Sequence, residues 1–190
     1  MLSETQIPAP RVAIAGDDPP SREWFRFFNY LYVASLAASP AYGAFHDETS
    51  TSFVANTPTL VPLGIQDLAV NLSDGASRIN IARAGLYTIT ASSQLTKDTA
   101  NEDDFYIWLR VNSVNVPASA SVVTVPKKHG SIPGSSLITV NFFYEFVVGD
   151  YFELYGLSKL GYAQITTYPA STSPAYPAAP GTILTVAQIK

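Results

Sequence analysis

The feature that most constrains this chain is a change of hydrophobic period near Phe53. Before it, apolar residues recur at helical spacing; after it, they alternate with a repeat of two. A repeat of two sends successive side chains to opposite faces of a strand. The alternating segments are short and separated by turn signals, among them Asp74-Gly75, Ala84-Gly85, His129-Gly130, Pro133-Gly134, Gly149-Asp150 and Pro180-Gly181. Strands are expected over 52–56, 59–63, 69–72, 79–82, 86–95, 105–112, 121–125, 137–148, 151–157, 164–168 and 182–189. Many short strands with no helical period between them predict an antiparallel sandwich or barrel.

The alternation also predicts which residues face inward. Ile138, Val140, Phe142, Tyr144 and Phe146 share one face, with Thr139, Asn141 and Glu145 on the other. Phe105, Ile107, Leu109 and Val111 form one face of their strand, against Tyr106, Trp108 and Arg110. Tyr151, Tyr155 and Leu157 likewise oppose Phe152 and Leu154. A two-layer sandwich needs only one buried face per sheet. A second aromatic face predicts a subunit interface, with Tyr106, Trp108, Tyr151 and Tyr155 as its residues.

The first 45 residues read as a separate anchor, and 46–190 as the β domain. Residues 1–20 contain Pro8, Pro10, Pro19 and Pro20, which exclude regular ladders. They read either as an extended strap or as a disordered tail. Asp18-Pro19-Pro20-Ser21 then signals a helix start. Trp24, Phe27, Phe28 and Leu31 fall at i, i+3, i+4 and i+7, with Phe25 and Tyr32 on an adjacent stripe. This predicts an amphipathic helix over about 20–38, ending before Pro40. Its wide aromatic face needs a partner: its own domain, sister copies or another protein. Residues 40–52 read as a linker.

Charged residues are only 14 % of the chain, against roughly 25 % in ordinary soluble domains. Such a surface suits burial against other subunits. Net charge is −4 and no Lys/Arg run is present, which argues against nucleic-acid binding. The apolar stretch 24–38 contains Arg26 and Asn29 and is short for a bilayer, so no membrane span is expected. The start of the chain lacks the basic-then-apolar pattern of a secretion signal.

Catalytic chemistry is not evident. With no cysteine there is no thiolate ligand or nucleophile. His46 and His129 lack nucleophile-elbow or metal spacing, so no catalytic residue, metal site or cofactor is expected. Asp98, Glu102, Asp103 and Asp104 cluster without the alternation of a calcium loop and read as a solvated turn. Glu145 and Glu153, on consecutive strands, are the pair to consider for a glycosidase, but exposed strand polars explain them more simply. Residues 168–181 are low in complexity and form a stiff loop; Tyr168 and Tyr176 are its candidate receptor-binding residues, although a passive connector fits equally.

The order of segments adds a resemblance over about 50–190. Gly85-Leu86-Tyr87-Thr88-Ile89-Thr90 resembles the G-x-Y-x-hydrophobic strand of C1q/TNF-like jelly rolls. Phe105-Tyr106-Ile107-Trp108-Leu109-Arg110-Val111-Asn112 is similar to their I-W-L-R-x-N-G strand, with Ser113 where Gly is usual. Phe146-Val147-Val148-Gly149-Asp150-Tyr151-Phe152-Glu153-Leu154 resembles their hydrophobic-x-x-G-D-x-V-x-L signature, and Ile183-Leu184-Thr185-Val186 their closing strand. The expected fold is therefore all-β, a C1q/TNF-like antiparallel jelly-roll sandwich with a short N-terminal helix and an extended arm. The aromatic helix at 21–32 resembles short helices near the N-termini of tailed-bacteriophage virion proteins of the fibre or appendage type. That resemblance implies a homotrimeric, non-enzymatic virion protein assembled in the host cytoplasm. It would be a tail fibre or tail-attached appendage, anchored to a tail adaptor, nozzle or capsid protein through Trp24, Phe25, Phe27, Phe28, Leu31 and Tyr32. The head would project toward a host surface glycan or receptor. A head fibre or capsid decoration protein, and a glycan- or receptor-binding module, are the alternatives.

Overall fold

A computed structural model describes residues 22–37 and 39–190 of the chain. The Pro-rich arm expected over 1–20 lies outside the described residues. The chain divides into two units, Met1–Ser39 and Pro40–Lys190. In the first, one helix, α1, spans Arg22–Ala37, as its period of 3.6 predicts. Trp24 sits within 5.6 Å of Phe27 and within 5.4 Å of Phe28, ring centre to ring centre. These are the i, i+3 and i+4 contacts that helical geometry allows.

The second unit is all β. Its strands in order are β1 (Tyr42–Asp47), β2 (Thr51–Ser52), β3 (Thr59–Leu60), β4 (Ile65–Val70), β5 (Leu72–Asp74), β6 (Ile79–Ile81), β7 (Gly85–Lys97), β8 (Asp103–Val111), β9 (Val114–Asn115), β10 (Ser121–Val125), β11 (Gly134–Phe146), β12 (Tyr151–Ser158), β13 (Gln164–Ile165), β14 (Ser171–Thr172), β15 (Ala175–Tyr176) and β16 (Thr182–Gln188). They build two antiparallel sheets. The first runs β4-β1-β16-β7-β11, with β13 and β2 continuing beside the far end of β7. The second runs β10-β8-β12-β6-β5, with β9 on β8 and β3 on β12.

The core contains the inward residues that alternation predicts. Ile89, Val140, Phe142, Phe146, Leu184 and Val186 come from the first sheet. Phe105, Ile107, Leu109, Phe152 and Leu154 come from the second. Phe146 lies 5.4 Å from Tyr87 and 5.7 Å from Phe152, joining the layers. Each fully buried Phe contributes about 1.5–3 kcal/mol relative to exposure. The second sheet leaves no slack at Gly156: a Cβ there would stand 2.8 Å from the Phe105 ring and 3.0 Å from Phe53.

Three expectations change. Residues 40–52 are not a linker, and the β unit begins at Pro40 rather than at 46. Tyr42–Asp47 is an interior strand, held by β16 on one side and β4 on the other. Its sequence, Tyr-Gly-Ala-Phe-His-Asp, has one large inward residue, Phe45, so no alternation shows. The strand expected at 69–72 is two strands. Asn71, with φ of 55°, turns the chain from β4 in the first sheet to β5 in the second. The strand expected over 137–148 starts earlier and stops at Phe146, because Val147-Val148-Gly149-Asp150 is the turn into β12. The Asp150 carboxylate accepts the Val147 N–H at 2.9 Å and closes it.

Candidate functional site

The jelly roll presents two outer faces of different chemistry. On the first sheet, strand register lines up rows of outward residues across four strands. One row is Phe143-Thr88-Ala187-Tyr42, the next Asn141-Thr90-Thr185-Ala44, and the third Thr139-Ser92-Ile183-His46. These rows contain no Asp, Glu, Lys or Arg. Their polar groups bond within the face: the Asn141 amide donates to Thr90 Oγ1 at 2.6 Å, and the Ser92 and Thr139 hydroxyls pair. Standing out from this low polar carpet are Phe143, 67 % exposed, Leu137, 63 %, and Ile183, 45 %. At the edge, His46 Nδ1 lies 2.9 Å from an Asp67 oxygen, and Nε2 is 3.7 Å from Glu48.

On the second sheet the outer face is aromatic and cationic. Arg78 donates through Nε to Glu153 Oε1 at 2.7 Å and lies 4.7 Å over the Tyr151 ring. Hydrogen bonding to Glu153 raises the Arg78 pKa above its ordinary value. Arg110 stands 4.5 Å over Tyr155 and donates through Nε and Nη2 to the Ser113 carbonyl. Trp108 packs against Tyr155 at 6.1 Å, and its indole N–H donates to Asn115 Oδ1 at 2.9 Å. The four aromatics expected at a subunit interface are half-buried, and Trp108, Tyr151 and Tyr155 have partners within the protomer. The turn from β8 to β9 serves this layer. Asn112 and Ser113 adopt φ of 48° and 65°, the left-handed pair of a type I′ hairpin. Ser113, where the resemblance has Gly, adds a 2.7 Å hydroxyl contact with the Tyr151 phenol.

A groove of about 440 Å³ opens beside this layer. Tyr106 and Trp108 of β8 and Leu157 of β12 form its floor; Asn56, Asn115 and Lys159 stand among its walls.

At the next loop, the buried Asp103 carboxylate gathers four donors. It accepts the Ser158 hydroxyl at 2.6 Å and the N–H groups of Leu160, Tyr162 and Ala163 at 2.8–2.9 Å. Burial alone would push its pKa up; these hydrogen bonds outweigh burial and hold it below the usual carboxylate value. Asp104 binds Lys159 and Thr124, and Asp98 pairs with Lys128. Asp98, Asp103 and Asp104 of the acidic cluster are therefore tied to protein donors. Glu145 and Glu153 do not face each other: β11 and β12 belong to different sheets, and Glu153 is committed to Arg78.

The remaining sequence candidates are dispersed. Tyr168 and Tyr176 are 40 % and 50 % exposed on the 168–181 loop, which contains the small β14–β15 hairpin. Of the helix residues, Phe25 is 69 %, Tyr32 62 %, Phe28 48 % and Leu31 40 % exposed, while Trp24 and Phe27 are half-buried. Sequence reading missed Leu137 and Phe143. Both carry the parity of Thr139 and Asn141, which is the signal that places them outside.

Murine APRIL at pH 5.0 superimposes with a TM-score of 0.50 at 12 % identity, over 80 % of this chain and 100 % of that one. This chain has a TNF-like jelly-roll fold. The pH 8.5 structure of murine APRIL gives a TM-score of 0.48 at 11 % identity, with the same coverage. No family model and no curated protein sequence matches the chain. The likeness is thus one of fold. No helix among the described residues is long and apolar enough to cross a membrane.

Proposed function

We propose that this chain is a non-enzymatic structural protein of a tailed-bacteriophage virion, a homotrimeric tail fibre or tail-attached appendage. Helix α1 docks to another virion protein, and the jelly roll projects and serves host adsorption. The observation that carries the reading is the pairing of an aromatic helix, with Phe25, Phe28, Tyr30 and Tyr32 exposed, to a separate jelly-roll unit whose first sheet presents three outward rows without Asp, Glu, Lys or Arg. Exposed aromatic clusters of this kind mark interaction surfaces.

The trimer is proposed to form through the first sheet's outer face. The sequence pointed instead to Tyr106, Trp108, Tyr151 and Tyr155, on the ground that those rings needed partners. Arg78, held by Glu153, covers Tyr151 and Arg110 covers Tyr155 within the protomer. Phe143, Leu137 and Ile183 have no such cover. His46 meets carboxylates at both ring nitrogens rather than a hydroxyl.

Deleting residues 1–38 is the test of docking. The truncated chain is expected to remain a folded trimer and to be missing from particles assembled in its presence. Normal incorporation would sink the anchoring role.

A further inference from the structure

The groove on the second sheet lies apart from the outer face of the first sheet and is left open by assembly through it. Its 440 Å³ falls within the range of about 300–1,000 Å³ typical of small-ligand sites. Its floor consists of interior strands: β8 pairs with β10 and β9 on one side and β12 on the other. The backbone groups there are already used, so an added β-strand has nothing to pair with. Recognition must come through side chains.

Those side chains have a particular chemistry. Tyr106 and Trp108 are two residues apart on one strand face, about 7 Å along it. Both rings line the groove and offer an aromatic platform for stacking. The indole is fixed in place by its N–H bond to Asn115 and by Tyr155 beside it on the neighbouring strand, so little freedom is lost when a ligand stacks on it. Around the platform stand two primary amides, Asn56 and Asn115. Among the described residues, the Asn56 amide and Asn115 Nδ2 make no hydrogen bond within the protein. The one charge in the wall, Lys159, is balanced by Asp104 at 3.3 Å. Apolar C–H faces over aromatic rings, with neutral donors and acceptors at the edge and no net charge, match the two-sided chemistry of a sugar ring.

We propose that this groove is a saccharide site, taking neutral hexopyranose units stacked on Trp108 and Tyr106 with hydroxyls bonded to Asn56 and Asn115. It goes beyond the assembly reading and does not depend on it.

The test is calorimetric titration of the full-length protein with four hexaoses and one peptide. Maltohexaose, mannohexaose and galactohexaose are the neutral sugars, hexagalacturonate the acidic one, and decaproline represents aromatic-groove peptide ligands. At least one neutral hexaose is expected to bind saturably, with Kd between about 10 μM and 1 mM. Trp108→Ala should weaken that binding more than tenfold. Because losing a half-buried indole can also disturb the fold, Ala120→Phe is the second variant. It adds bulk at the exposed wall of the groove and should abolish binding while the thermal melt stays that of the parent. The site is refuted if none of the three neutral hexaoses binds by about 10 mM, if Ala120→Phe binds as the parent does, or if only hexagalacturonate or decaproline binds. Any of these results would leave the docking and trimer readings standing, since their readouts are incorporation and mass.

Discussion

The two sheets of this sandwich have inward faces of the same kind and outward faces of opposite kinds. Outside the first sheet are Thr, Ser, Ala and Asn, with Phe143, Leu137 and Ile183 exposed above them. Outside the second sheet there are more aromatics, yet three of the four are engaged: Arg78 over Tyr151, Arg110 over Tyr155, Trp108 held by Asn115. The richer aromatic face is therefore the less available one. A guanidinium can lie flat on a ring and still bond in its own plane, so an Arg–aromatic layer can satisfy itself within one chain. An exposed Phe among hydroxyls has no equivalent partner, and in the proposed trimer burial against a neighbouring copy would remove it from water.

This contrast can be broken from either side. The largest effect is expected from Phe143→Asp. Three like charges near the axis of the proposed trimer would cost several kcal/mol, so that trimer should fall to monomers in light scattering while the circular dichroism of the sandwich persists. A trimer that survives would return the interface to the second sheet. Arg78→Ala should do the reverse. It strands Glu153, 2 % exposed, without its cation, and should lower the urea midpoint at unchanged slope while leaving the subunit number as it was.

Asp103→Asn sharpens the comparison through pH. The native carboxyl pKa is depressed below its unfolded value near 3.8. Its contribution to stability is therefore complete above that value and is lost as pH falls through the lower native pKa. The variant should be less stable at neutral pH and should lose less further stability than the parent below about pH 4. Denaturant midpoints measured from pH 7 down to 3 would show two parallel curves if the carboxylate were irrelevant. The smallest effect belongs to Ser113→Gly. Glycine relieves the left-handed φ of 65° but gives up the Tyr151 contact. The net change should stay within about 1 kcal/mol, read from thermal melts.

Much of this was legible from residue order. The inward set of β8, β11 and β12 follows from parity, and α1 from spacing of 3.6. What parity could not give was the identity of each strand's neighbours. Tyr42–Asp47 reads as a linker because its residues are small or polar, and only β16 and β4 make it a strand. A single expected strand at 69–72 divides because Asn71 takes a left-handed φ and the chain changes sheets, an event without a hydrophobic signature.

The candidate sites divide the same way. By itself the sequence determined that this chain folds as an antiparallel sandwich behind an aromatic helix, and which side of each strand is wet. Those properties are local, since a strand's two faces alternate whatever lies beside it. Only the tertiary structure decided which wet face is satisfied. Arg78 and Glu153 are 75 residues apart, and Trp108 and Tyr155 meet across a strand pair. Whether an outward aromatic is spent inside the protomer or left for a partner depends on such distant contacts, which parity along a strand does not encode.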